Sequence, residues 1–160
     1  MMKVLFRILA ALALVASPCA AQFTTNPRPM VGSFFVSVDD SATIYVNGKK
    51  AYTARINESR SYDLELKVGD RVVVHLFNEH LSKRFILLFV SADAKTIISF
   101  RKQDFRIIPH RFFTDFKAND FKKWEPVIQM KHEYLFPVKS HSEYVWGDTE
   151  NCIIACTITP

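Results

Sequence analysis

The residue patterns that announce an enzyme are missing from this chain. Only four residues are glycine, so there is no Gly-rich phosphate loop, and neither Gly-x-Ser-x-Gly nor His-Glu-x-x-His occurs. His132-Glu133 lacks the second histidine that a zinc-protease helix requires, and His75, His80, His110 and His141 are scattered, which suits surface or core roles. Asp115 and Asp120 near His110 come closest to a catalytic pair, and nothing in their spacing demands chemistry. The expectation is a protein that is not an enzyme.

Cysteine is scarce too. Of three, Cys19 lies in the leader described below, and Cys152 and Cys156 are too few for a Cys-rich zinc motif. Four residues apart in an extended strand they would sit about 13 Å from one another, at a rise of roughly 3.3 Å per residue, too far for a disulfide. Either a bend brings them together, or they stay free or pair elsewhere.

Long apolar runs and a dominant charge are also absent. The stretch 1–21 has Lys3 and Arg7, a short apolar run from Ile8 to Ala16, and small residues up to Ala21, which reads as a secretory signal peptide cleaved before Gln22. Pro18 and Ala16 fit a lipidation site at Cys19 badly. No later run reaches the roughly 20 apolar residues that a membrane helix needs. The expectation is a soluble chain, secreted or periplasmic, of about 139 residues after cleavage. Its formal charge of +5 drops to +3 with the leader, a mild excess that together with export argues against a nucleic-acid partner.

What remains is β patterning. After a proline-bearing lead-in over 22–32, Ser33–Val38 reads as a strand, and Ala42, Ile44 and Val46 alternate with Thr43, Tyr45 and Asn47 in a second. Asn47-Gly48 then gives the strongest short hairpin signal, since both residues tolerate the positive φ of a type I′ turn, and Lys49–Arg55 follows as its partner. Tyr62, Leu64, Leu66 and Val68 alternate with Asp63, Glu65 and Lys67 as an amphipathic strand turned by Gly69-Asp70. Val72–Phe77 and Arg84–Val90 are apolar on both faces and read as central strands. Thr96–Phe100, an edge piece ended by Pro109, Glu143–Trp146 and Ile153–Ile158 complete the set. Val127, Met130, Tyr134 and Leu135 suggest one short helix ended by Pro137. About eight short strands with regular turns predict an all-β jelly-roll β-sandwich occupying 33–160 as a single domain.

Between Arg101 and Trp124 runs a long aromatic and basic connection. It supplies most of the candidate ligand contacts: Trp124 with Trp146 and Tyr52 as flat faces for sugar rings, and Arg111 and Lys122 as cations for acidic groups. The plainer role for such aromatics is core filling. No cofactor is expected. Asp39-Asp40 is the one place where Ca²⁺ could be held, but the ion takes six to eight oxygens and two adjacent acids fall far short, so a turn role fits better. Asn57-Glu58-Ser59 is an N-glycosylation sequon, meaningful only in a eukaryotic secretory pathway.

The phrase Asp39-Asp40-Ser41-Ala42-Thr43-Ile44-Tyr45-Val46-Asn47-Gly48-Lys49, followed by Val68-Gly69-Asp70-Arg71-Val72-Val73-Val74, resembles the galactose-binding-like jelly-roll domains of secreted lectins and glycoside-hydrolase accessory modules. The likeness covers roughly Val36 to Val90. It implies that these two segments are neighbouring strands of one sheet and that the protein is lectin-like, binding a carbohydrate or glycoconjugate, an acidic polysaccharide in view of the basic residues near Trp124. Some such domains only join another protein. The alternative expectation is therefore a structural or interaction module of the cell surface or matrix, without glycan affinity.

Overall fold

A computed structural model describes residues 28–55, 60–79, 82–109, 123–131 and 140–159. The leader, Asn57, Arg111, Asp115, Asp120 and Lys122 therefore lie outside the described residues. Eleven strands occur among those described: β1 (Met30–Val38), β2 (Ser41–Val46), β3 (Lys49–Arg55), β4 (Arg60–Leu66), β5 (Arg71–Phe77), β6 (Phe85–Ser91), β7 (Ile97–Ser99), β8 (Arg106–Ile107), β9 (Ile128–Gln129), β10 (Val145–Trp146) and β11 (Cys152–Thr157). Eight of them have three residues or more. One sheet has the order β4-β1-β6-β10-β9, with β7 also paired to β6, and the other has the order β3-β2-β5-β11-β8; every pairing is antiparallel. The expected all-β sandwich is what forms. A 3₁₀ turn spans Lys102–Asp104.

The main core lies between the sheets and is built from alternate residues. Phe34, Val36 and Val38 come from β1, Ala42 and Ile44 from β2, Val72, Val74 and Leu76 from β5, and Phe85, Leu87 and Phe89 from β6, all essentially inaccessible to solvent. Phe34 and Phe89 meet edge to face at 5.9 Å, a favoured arrangement for aromatic quadrupoles. The apolar outer faces of β5 and β6 have their own cover. Ile86, Leu88 and Tyr144 form a second cluster outside the first sheet, and Val73, Ile153, Ala155 and Ile108 a third outside the other. Strands buried on both faces read as unbroken apolar runs, which is why these two lacked alternation.

Local chemistry fixes the hairpin. Asn47 and Gly48 have φ of 49° and 79°, as a type I′ turn requires. The tip is tied to the Gly69-Asp70 turn, where Asn47 Nδ2 donates to Asp70 Oδ1 at 2.8 Å and Arg71 N donates to Asn47 Oδ1 at 3.0 Å. β2 and β5 are thereby neighbours in one sheet. The first strand begins at Met30, earlier than the lead-in over 22–32 suggested, because Met30 and Gly32 already pair with Leu66 and Leu64 of β4.

The predicted helix needs correcting. Its described part, 127–131, is extended: Ile128 pairs with Trp146, Gln129 pairs with Val145, and Met130 N donates to Tyr144 O at 2.8 Å. Val127 and Met130 both face apolar neighbours, but ladder bonds to a distant strand hold them there, overriding a weak helical period. This segment also crosses between layers. Ile107 N donates to Glu125 O at 2.8 Å and Pro126 bridges Arg106 at the edge of one sheet, before Ile128 joins the other.

Candidate functional site

A groove opens on the outer side of the second sheet, where β5 leaves it and β11 enters. The backbone explains its position. Ile107 pairs with Ile154, and Ile108 N donates to Ile153 O at 2.8 Å, so the chain after β8 lies along β11 and sets Ile107 and Ile108 as an apolar floor. One hollow, of about 380 Å³, is bounded by His75 and Phe77 of β5, by this floor, and by Asp148, Thr149 and Asn151. A second, of about 340 Å³, adjoins it and is bounded by Trp124 with Lys123, Glu125 and Pro109. Trp124 is half-buried. It rests against the cluster of Val73, Ile108, Ile153 and Ala155 and still borders the hollow.

The lip formed by 147–151 is held from behind. The Trp146 indole N–H donates to Thr149 O at 2.9 Å, and the Thr149 hydroxyl donates to Asn151 O at 2.8 Å. Asn78 N donates to Asn151 Oδ1 at 3.2 Å, while Asn78 Nδ2 donates to Glu150 Oε2 at 2.6 Å. Lys83 Nζ sits 2.8 Å from Glu150 Oε1, and its bond, then that of Asn78, holds the Glu150 carboxyl below the usual range. Asp148 is the exception in this turn. Its carboxylate is exposed and has no hydrogen-bond or ion-pair partner among the described residues, and the same holds for Glu125.

Of the candidate ligand contacts that lie among the described residues, Trp124 borders this groove, and Trp146 and Tyr52 do not. Trp146 is fully buried, so it offers no face to a sugar; its part is to fix the lip. Tyr52 turns inward, stacks on Tyr62 with ring centroids 3.7 Å apart, and has its hydroxyl pKa raised well above the ordinary value by burial and then by Tyr62. It belongs to the core. Asp39 is buried, and Asp40, at φ 56°, accepts a hydrogen bond from Glu79 N at 2.6 Å through Oδ2, which is the work of a turn residue. No group of three or more His, Cys, Asp or Glu suited to a metal ion occurs among the described residues. Cys152 and Cys156 are free thiols in one extended strand, and burial raises both pKa values, that of Cys152 to about 11.

His75, Asp148 and Asn151 were not legible as site residues. His75 looks like a polar interruption of an apolar strand, yet its ring lies 5.4 Å from Tyr45 on the outer face and borders the first hollow. Asp148 to Asn151 reads as an ordinary polar turn.

No protein-family profile, curated protein or solved structure matches this chain. No helix among the described residues is long and apolar enough to cross a membrane. Chemically, the groove combines an aromatic wall, an apolar floor and several polar groups that can fix orientation. That is the usual make-up of a small-molecule site.

Proposed function

We propose that the protein is an exported, non-enzymatic β-sandwich that binds carbohydrate in the groove beside Trp124. The observation that carries this reading is the partly exposed Trp124, set on an apolar bed and facing a hollow with carboxylate and ammonium groups at its rim. Sugar rings present C–H faces to indoles and hydroxyls to charged acceptors and donors, so this combination suits them. The leader-like start supports export, and the resemblance of Asp39–Lys49 and Val68–Val74 to galactose-binding-like domains supports a glycan ligand. The test is a broad glycan panel probed with the whole chain and with Trp124→Ala protein. Binding that is lost in a folded Trp124→Ala variant supports the reading, and a blank panel with folded wild-type protein removes it.

A second reading rests on the other face. On the outside of the first sheet, Val31 is 60% exposed and Ile97 43% exposed on either side of Val90. Such a patch suits a protein-interaction module. Light scattering that shows only monomer, with nothing copurifying, would count against it.

A further inference from the structure

The two hollows share Ile107, Ile108 and Asp148, so they are compartments of one groove with Asp148 at their junction. Among the described residues its charged side chains are Asp148, Glu125 and Lys123, with His75 and the Cys152 thiol in the larger compartment. Among the described residues two carboxylates face one ammonium there, a local acidic excess in a chain whose formal charge is +5. A carboxylate can only accept hydrogen bonds, and a second anion brought beside it meets Coulomb repulsion. Neither carboxylate is neutralised by a described neighbour. Among the described residues the charge of the groove thus favours a donor ligand, while Arg111 and Lys122, on which the expectation of an acidic one rested, lie outside them.

Resting on the carbohydrate reading, we propose that the groove binds two successive units of a saccharide whose polar groups donate, a neutral or amine-bearing sugar and not an acidic one. One ring stacks on Trp124 in the smaller compartment. The next lies over Ile153 between His75 and Asn151 in the larger one. Asp148 accepts hydrogen bonds from both units, which makes it the residue that sets specificity.

The experiment is calorimetric titration of the full chain with β-1,4-linked glucose, glucosamine and mannuronate oligomers of one to four units. Affinity rises about tenfold or more from one unit to two and then levels off, since the groove formed by the described residues has two compartments. The glucosamine dimer binds at least as well as the glucose dimer, through charge-assisted donation to carboxylate, and the mannuronate dimer binds about tenfold more weakly than either, by repulsion between its carboxylates and Asp148 and Glu125. Asp148→Asn reduces glucosamine binding about tenfold and narrows the gap to mannuronate, with the melting temperature unchanged. Mannuronate binding that equals or exceeds the others, or monomers that match dimers, overturns the proposal and leaves the carbohydrate reading standing. No binding by any of the three, with a blank broad panel, overturns both.

Discussion

Ile44 stands opposite Tyr52 across the β2–β3 hairpin, while its neighbour Tyr45 stands opposite Lys50. Ala51 is therefore an extra residue, and the bulge it makes lets Lys50 face solvent while Tyr52 faces the core. Without it, a two-residue period would put the residue opposite Ile44 at Ala51 and turn Tyr52 outward. The bulge also interrupts an edge strand already carrying Lys49 and Lys50, a combination that discourages pairing with another chain.

The buried Tyr52 hydroxyl has no hydrogen-bond partner among the described residues. Tyr52→Phe removes that orphan group without changing shape, so its stability should match wild type or exceed it by up to about 1 kcal/mol. Tyr52→Ala removes a buried ring and its stack on Tyr62, at a cost of about 3 to 5 kcal/mol. Urea unfolding of both variants checks this. A Tyr52→Phe protein clearly weaker than wild type would mean that the hydroxyl has a partner in solution.

The two tryptophans should separate cleanly. Trp146→Ala removes the largest fully buried side chain and the bond to Thr149 O, so it should cost about 3 to 5 kcal/mol and loosen the lip. Trp124→Ala trims a half-buried ring at the groove rim and should leave a folded protein that binds saccharide at least tenfold more weakly. Circular dichroism and titration together check both. Acrylamide quenching adds a direct readout: a bound sugar should shield Trp124 and leave the already buried Trp146 unaffected.

Much of the fold was legible because its signals are local. Asn47-Gly48 specifies its turn by the φ values it tolerates, and alternation in Tyr62–Leu66 assigns an inner face without reference to any partner. The groove is different, because its walls come from β5, β8, the β10–β11 turn and Trp124, brought together only by sheet order. Trp124 and Trp146 look alike in sequence, each beside acidic and apolar residues. Pairing of Trp146 with Ile128 encloses one, and no local feature announces that pairing. The bulge at Ala51 is equally silent, since Lys50-Ala51-Tyr52 contains neither glycine nor a turn residue, and so the inward orientation of Tyr52 went unread.

Alkaline pH should unfold the protein in a defined window. The folded pKa values of Cys152 and Cys156 are raised by burial, that of Cys152 to about 11, against about 8.5 in an unfolded chain. Above that lower value the unfolded thiols lose protons while the folded ones keep theirs, so stability falls as pH rises. The loss should begin near pH 9 and amount to about 1.4 kcal/mol per pH unit per thiol, until each folded pKa is passed. Tyr52 adds to the slope above about pH 10. Chemical denaturation from pH 7.5 to 10.5 under reductant measures it, and a Cys152→Ala/Cys156→Ala protein should show a flatter profile below pH 10. Equal slopes in the two proteins would place the thiols in water.

Gly147 joins the core to the groove lip, and its lack of a side chain is a steric requirement. A Cβ there would lie 2.4 Å from Cys152 Sγ and 2.7 Å from Cys152 Cβ, closer than such atoms approach. Cys152 is fixed in β11 by pairing with Leu76, so the strain of Gly147→Ala falls on the turn. Trp146 holds Thr149 and Asn78 holds Asn151, leaving Asp148 as the part of the turn able to move. Gly147→Ala should therefore cost about 1 to 3 kcal/mol of stability, as overpacking does. It should also weaken saccharide binding, although Gly147 itself does not border the groove. A folded Gly147→Ala protein with full affinity would mean that Asp148 does not contribute to the site.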